Sequence, residues 1–342
     1  IARALGDKLS AQTGSAVALT ADGRTLAALA VSVVTAIDKD VTVTAAYTLT
    51  VLDLTLALAG PFATFLLAGL GARVIKIENP ASPDHCRENA PFIGRNGVSL
   101  GRSAPDDVSA AALNRLRGKY AVTMNLKQPG SREVFADLVQ KADVVVENFA
   151  PGTLERLGIG YEFARQRNPR IVYCSISAFG PTGPWREKPG LDALAQALGG
   201  FMAITGEREG GPVLGGAPVA DTMGAMLATQ GILTALLARH RTGRGQRVDA
   251  SLLDAMLLAH TARLAVFHET GESPGRWGSG HPEIVPYRAY RASDGWVFVA
   301  VWVDRLWRPF CDAIRPPELG VDPRFPGRAD RIAHRGGLDA IL

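Results

Sequence analysis

The sequence predicts an α/β protein with a doubly wound, Rossmann-like large domain and a smaller α/β domain. Short apolar runs alternate with helix-like segments from about residue 50 to about residue 265. Such alternation is typical of parallel strands joined by helical crossovers. Beyond that point the composition shifts to Gly, Pro and Trp between short strands. A chain of 342 residues, 47% of them hydrophobic, is long enough for a large domain and a smaller one.

The predicted strands are short apolar runs, and the predicted helices are longer segments with capping or turn residues at their ends. Ser131 is the expected cap of the second helix, and the fifth helix has basic residues before Gly243, as a helix C-terminus favours. The predicted strands are Val51–Leu54, Val74–Glu78, Tyr120–Leu126, Asp143–Glu147, Arg170–Ser175, Gln246–Ala250, Tyr287–Tyr290 and Trp296–Val301. The predicted helices are Pro61–Leu70, Gly130–Lys141, Gly152–Leu157, Asp192–Gly199, Thr222–His240 and Ser251–Phe267.

These elements divide the chain into three parts. Residues 1–48 form an N-terminal extension of unknown role, residues 49–265 the large domain and residues 266–342 the small domain. The first residue is Ile1 rather than Met, which predicts a fragment or an incomplete chain.

Composition excludes several classes of protein. The net charge of +4 is scattered, without the basic patch of a nucleic-acid-binding protein. The apolar stretch Leu26–Ile37 is too short to cross a bilayer and lacks the basic start of a signal peptide. Three widely spaced cysteines predict a reducing compartment, and six histidines show no metal-ligand spacing. We therefore expect a cytoplasmic protein without a membrane or nucleic-acid partner and without a metal site.

Several nucleotide-binding and hydrolytic motifs are missing. The turn at residues 55–61 has none of the G-x-G-x-x-G glycines that wrap a pyrophosphate, so a dinucleotide cofactor is not expected. The P-loop, G-x-S-x-G and H-E-x-x-H spacings are also absent.

Asp221 precedes a long apolar helix, and on its own it is best explained as an N-cap. A carboxylate held ionised by free helix N–H groups is also a suitable nucleophile toward an activated carbonyl. Asp192 is a second acid at a predicted helix start. Arg115, Asn148 and Arg156 have side chains that bind phosphates, yet as isolated residues they are equally typical of a solvated surface.

Taken in order along the chain, a set of short motifs from about Val51 to Leu342 resembles the family III CoA-transferases (the CaiB/BaiF family), which include formyl-CoA transferases. The motifs are residues 51–55, 59–61, 70–72, 74–78, 147–149, 151–152, 156–158, 168–170, 177–184, 190–192, 220–221 and 242–246.

The resemblance implies a catalytic Asp221 and a second active-site acid at Asp192. It implies that CoA, as a substrate rather than a permanently bound cofactor, is handed from an acyl-CoA to a carboxylic acid through an aspartyl anhydride and an aspartyl-CoA thioester. It also implies an interlocked homodimer. The residues that the resemblance assigns to CoA binding are Leu56, Ala57, Leu58, Asn114, Arg117, Lys119, Asn148, Arg156 and Lys188.

The chain departs from the family pattern in places. Some members carry a glutamine where this chain has Leu58 and a basic residue where it has Asn79. The C-terminal segment that returns to the large domain is expected to be missing after Leu342, and residues 1–48 have no counterpart.

Two alternatives stay open. A racemase of the α-methylacyl-CoA type needs a second base, typically a His before the acid matching Asp192, and this position holds Leu191. A catalytically silent CoA-binding protein is the other alternative.

Overall fold

The computed structural model describes residues 49–314 and 317–342, so the predicted N-terminal extension lies outside the described residues. Its contacts divide the chain into two units. The first unit reaches Ala195 and also takes in Pro218–Met256, and the second consists of Gln196–Ala217 and Leu257–Leu342. The domain boundary expected near residue 265 stays a prediction.

The strands are β1 (Thr50–Asp53), β2 (Arg73–Glu78), β3 (Phe92–Gly94), β4 (Gly97–Ser99), β5 (Val108–Ser109), β6 (Tyr120–Thr123), β7 (Val144–Glu147), β8 (Val172–Ser177), β9 (Arg247–Ser251), β10 (Tyr287–Arg291) and β11 (Trp296–Ala300). The helices are α1 (Ala59–Gly69), α2 (Ala110–Leu116), α3 (Pro129–Lys141), α4 (Thr153–Arg156), α5 (Tyr161–Arg167), α6 (Asp192–Leu198), α7 (Val219–Thr242), α8 (Leu252–His260), α9 (Ala262–Thr270), α10 (Trp307–Ile314), α11 (Arg328–Ala333) and α12 (Arg335–Ile341).

Six parallel strands form the sheet of the first unit, in the order β6-β2-β1-β7-β8-β9. The chain builds outward from β1 through β2 to β6, and then from β7 through β8 to β9 on the other side. The carboxyl ends of β1 and β7 are therefore neighbours where the winding reverses, which is the place where open α/β sheets bind ligands. The predicted doubly wound sheet is confirmed.

The central strands are apolar because helices cover the sheet on both faces. All four residues of β7 are buried, as nearly continuous apolar parallel strands require. Leu52 of β1 and Val145 of β7 pack with Phe135 of α3 in one core cluster. Helices α1 and α7 pack against each other, and α7 also packs against β8 and β9.

Several predicted boundaries were wrong. Helix α7 begins at Val219 after Pro218, so Asp221 lies in its first turn and is not its N-cap. Ser131 does not cap α3, which begins at Pro129, and its hydroxyl donates to Asn125 O instead.

Two other predicted elements are shorter than expected. The strand predicted to reach Leu126 ends at Thr123. The helix predicted over Ser251–Phe267 is interrupted at Thr261, whose φ of 50° is left-handed, so it becomes α8 and α9.

The second unit contains the antiparallel hairpin β10–β11 and the helices α10–α12. Its core includes Trp307, Phe325 and Leu338, with the buried Arg331 bound to Val285 O at 3.0 Å. No helix within residues 49–314 and 317–342 is both long enough and apolar enough to span a membrane.

Candidate active site

A cavity of about 330 Å³ opens in the first unit where β1 and β7 end. The loop after β1 and the residues that follow β7 form part of its wall. The lining residues are Leu56, Ala57, Leu58, Ala59, His85, Asn148, Phe149, Ala150, Pro151, Ile176, Ser177, Ala178, Lys188, Pro189, Gly190, Leu191, Asp221 and Leu252.

Asp221 is the acidic residue among those that line this cavity. The pKa of Asp221 is raised from 3.8 to about 6. Burial is the largest cause, the negative charge of Asp192 adds to it, and the positive charge of Arg115 opposes both. At neutral pH Asp221 is still mostly ionised, and partial desolvation makes a carboxylate more reactive toward a carbonyl carbon.

Asp192, the first residue of α6, accepts a hydrogen bond at Oδ1 from the backbone N–H of Asp221 at 3.0 Å. This N–H belongs to the first turn of α7, where backbone donors lack partners inside the helix. Asp192 therefore satisfies part of the helix terminus and brings a second negative charge close to Asp221.

The loop after β1 is anchored by Asn148, which follows β7. Its Oδ1 accepts from Leu56 N–H and its Nδ2 donates to Leu56 O, both at 2.8 Å. The side-chain amide thus pairs with one backbone residue as a neighbouring strand would. Asn148 fixes the cavity wall in addition to lining it.

Charged side chains are buried beneath this loop. Lys119 donates to Asp53 Oδ2 at 2.8 Å, to Pro61 O at 2.9 Å and to Thr64 Oγ1 at 2.7 Å, which occupies all three of its N–H donors. Burial alone would raise the pKa of Asp53, but the charges of Lys119 and Lys76 and the hydrogen bonds from Lys119 and Thr55 lower it to about 2. This network fixes the carboxyl end of β1.

The structure brings together one group of the residues that the resemblance assigns to the site. Members of this group line the cavity: Leu56, Ala57, Leu58, Asn148, Lys188 and Asp221. Asp192 joins them through its hydrogen bond to Asp221.

Four other predicted CoA-binding residues do not line the cavity. Lys119 is buried in the network around Asp53, and we leave it out of the proposed site. Arg117 lies over the Phe65 ring at 4.7 Å, and Asn114 is exposed on α2. Arg156 is exposed and donates to Thr153 Oγ1 at 3.0 Å.

His85 lines the cavity, although no pattern in the sequence indicates a role for it. It follows Asp84 in a short 3-10 helix after β2, a segment without a clear periodic pattern. Lys188 and His85 are lining residues of the same cavity as Asp221, and both side chains can donate hydrogen bonds.

A second cavity of about 300 Å³ shares Phe149, Ala150, Pro151 and Ser177 with the first. It is lined by Glu147, whose burial raises its pKa to about 7 against the hydrogen bonds it accepts from Ser175 and the Phe149 N–H. Within the described residues, no three His, Cys, Asp or Glu side chains are grouped to hold a metal ion.

The chain is similar to several known proteins over most of its length. Residues 48–342 match the family model described as CoA-transferase family III. The chain is 40% identical over 295 residues to an acetyl-CoA:oxalate CoA-transferase of Acetobacter aceti, covering 86% of this chain and 73% of that protein. It is 42% identical over 298 residues to a succinyl-CoA:mesaconate CoA-transferase of Haloarcula marismortui, with coverage of 86% and 73%. A crystal structure of a CaiB/BaiF family protein from Brucella suis superposes with a TM-score of 0.75 at 36% identity, over 86% of this chain and 75% of that one.

Proposed function

The chain belongs to CoA-transferase family III, and from that premise we propose that it transfers CoA from an acyl-CoA to a carboxylic acid through covalent intermediates on Asp221. The observation that carries the proposal is the position of Asp221. It is the acid on the wall of a cavity at the switch point of the sheet, beside the loop Leu56–Leu58. Its pKa of about 6 leaves it ionised at neutral pH.

The first half of the reaction moves CoA onto the enzyme. A carboxylate oxygen of Asp221 attacks the thioester carbonyl, the C–S bond breaks, and CoA leaves as a thiolate. The thiolate then attacks the aspartyl carbonyl of the mixed anhydride, which releases the donor acid and leaves an aspartyl-CoA thioester. The activation of the thioester is thereby kept on the enzyme.

The second half repeats these steps with the acceptor. Its carboxylate attacks the aspartyl thioester and displaces CoA thiolate, forming a new mixed anhydride. Attack of the thiolate on the acceptor's acyl carbon gives the product thioester and regenerates Asp221. No net proton or electron is gained or lost over the cycle, because each step exchanges one bond of an acyl carbon to oxygen or sulfur for another.

We propose that at least one of the two acids is a dicarboxylic acid. The similar transferases are named for oxalate, succinate and mesaconate, which all carry two carboxyl groups. Lys188 and His85 on the cavity wall offer donors for a second carboxylate or for the anionic parts of CoA.

The decisive assay incubates the protein with a panel of acyl-CoAs and carboxylic acids, dicarboxylic acids first, and detects new acyl-CoAs by mass spectrometry. We expect transfer by the wild type and none above background by D221N. Transfer at the wild-type rate by D221N would exclude this mechanism.

A racemase is the competing activity, and one observation keeps it worth testing. Leu191 cannot exchange a proton, but His85 places an imidazole on the wall of the same cavity. Deuterium entering the α-carbon of a branched acyl-CoA in D₂O without an acceptor acid would favour isomerisation over transfer.

The interlocked homodimer belongs to the same proposal, because only the resemblance supports it. Light scattering of the full-length protein tests the dimer. A mass of a single chain at micromolar concentration would contradict it.

A further inference from the structure

Two consecutive residues of the cavity wall have all their backbone polar groups bound by side chains from elsewhere in the chain. Asn148 pairs with the N–H and the C=O of Leu56. Asp84 Oδ1 accepts from Ala57 N–H at 3.0 Å, and Arg115 Nη1 donates to Ala57 O at 2.8 Å. The loop is therefore shaped by three distant side chains rather than by its own turn hydrogen bonds.

Ala57 has a φ of 68°, in the left-handed region. A side chain with a Cβ disfavours this conformation, which persists only where the surroundings impose it. Asp84 binds the backbone N–H of Ala57, and Arg115 binds its C=O. These hydrogen bonds are the contacts that oppose its return to an extended or helical backbone.

Asp84 is a fixed anchor. It is fully buried, its N–H donates to Glu78 Oε2 at 2.9 Å, and its carboxylate lies 3.3 Å from Lys76 Nζ. Oδ1 also accepts from Cys86 N–H at 3.0 Å. Asp84 is held in place independently of Ala57, because Glu78, Lys76 and the Cys86 N–H all bind it.

Arg115 is the second anchor and has a second effect. It projects from α2 and is half-buried, and its charge lowers the pKa of Asp221 against burial and Asp192. The Arg115 guanidinium thus binds the backbone of the cavity wall at Ala57 and also lowers the pKa of Asp221.

We propose that Arg115 is a positioning residue of this active site: with Asp84 it holds Ala57 in the left-handed conformation that shapes the cavity wall. The inference rests on the proposed function, since it assigns a role in the same cavity. Arg115 acts through the loop backbone and through Asp221 rather than by bonding to the reacting atoms.

The test separates the two effects with R115A, R115K, A57G and the double variant R115A/A57G in the full-length protein. We measure kcat and KM for acyl-CoA, the pH dependence of kcat/KM and the melting temperature. Glycine tolerates the left-handed conformation, so A57G removes the need for a clamp. R132A is the matched control, because Arg132 is exposed and stacks on Phe163 at 5.1 Å.

R115A should lower kcat/KM by about tenfold or more, the order expected for one charge-assisted hydrogen bond. A57G should lower kcat/KM less than R115A does and should restore most of the R115A loss in the double variant. The acid limb of the pH profile should move to higher pH in R115A and stay there in the double variant, since glycine does not replace the charge. R115K should leave the limb in place.

Additive losses in R115A and A57G would overturn the proposal, as would a loss in R115A no larger than in R132A. If R115A does not fold, R115M takes its place, because methionine fills similar space but has neither the donor nor the charge. An unchanged kcat/KM in R115M would overturn the proposal in the same way. An inactive wild type instead overturns the proposed function. In that case, acyl-CoA affinity measured by calorimetry on the same variants tests the clamp alone, with the same rescue expected from A57G.

Discussion

The side chain of Asp192 binds the backbone N–H of Asp221, with an Oδ1 to N distance of 3.0 Å across 29 positions of sequence. The Asp192 carboxylate therefore binds a backbone donor in the first turn of α7, the helix that carries Asp221. The same contact sets two negative charges side by side, which disfavours ionisation of Asp221. Asp192 thus has two effects: it satisfies a backbone donor at the start of α7, and it raises the pKa of Asp221.

Asp192→Asn separates these two effects, because the amide oxygen still accepts the Asp221 N–H while the charge is removed. The pKa of Asp221, about 6, should fall toward 3.8 but remain above it, since burial is the larger cause of the shift. The acid limb of kcat/KM against pH should move to lower pH. An acid limb unchanged from wild type would show that Asp192 does not control the ionisation of Asp221.

Asp221→Asn should abolish transfer and stabilise the fold at neutral pH. The folded-state pKa of Asp221 is raised from 3.8 to about 6, so its favourable contribution is full below pH 3.8 and is lost as the pH rises through 6. At pH 7 the ionised side chain is a cost of roughly 1–3 kcal/mol, discounted for its partial exposure. Urea unfolding at pH 7 should show a higher midpoint for the variant. A lower midpoint would contradict this account of the site.

The sequence predicted the sheet well because its strands are apolar runs buried on both faces, such as β7. Asp221 and Asp192 were selected by the family resemblance, because an acid at the start of a helix-like segment is on its own best explained as a cap. The sequence did not predict their contact, nor the start of α7 at Val219, because the hydrogen bond of Asp192 acts across a long loop.

The loop after β1 was the least predictable part of the site. The anchor Asn148 lies 92 positions from Leu56, and Asp84 and Arg115 come from segments with short or weakly patterned elements. A left-handed Ala57 contradicts local preference, and only tertiary contacts specify it. The sequence around an isolated arginine or histidine does not indicate which part of the fold its side chain will contact.

Lys119→Met tests whether this lysine is structural, as its burial indicates, or contacts CoA, as the resemblance implies. Removing it leaves Asp53 buried with Lys76 Nζ at 3.7 Å as its remaining ion partner. We expect a loss of roughly 3 kcal/mol in the free energy of unfolding and an unchanged KM for acyl-CoA in the folded fraction. Lys141→Met, at an exposed position of α3, is the control. A large rise in KM with little loss of stability would instead favour a direct contact with CoA.

Glu147→Gln should flatten the pH dependence of stability. The pKa of Glu147 is raised by burial from 4.5 to about 7, so its favourable contribution is present below pH 4.5 and is lost as the pH rises through 7. The wild type should lose up to about 3 kcal/mol across that window through this group, and the variant should not. Thermal unfolding from pH 4.5 to 8 checks this, with the exposed Glu133→Gln as control. Parallel curves for wild type and Glu147→Gln would show that Glu147 ionises normally.

The central claim is that Asp221 carries the acyl group and then CoA, and trapping tests it most directly. Hydroxylamine attacks the carboxyl carbon of an aspartyl anhydride or thioester, releases the donor acid or CoA, and leaves a hydroxamate. Mass spectrometry of peptides from the full-length protein should find this hydroxamate at Asp221 only when acyl-CoA is present, and never in Asp221→Asn. Active transfer with no hydroxamate at Asp221, or with one at Asp192 instead, would contradict the account.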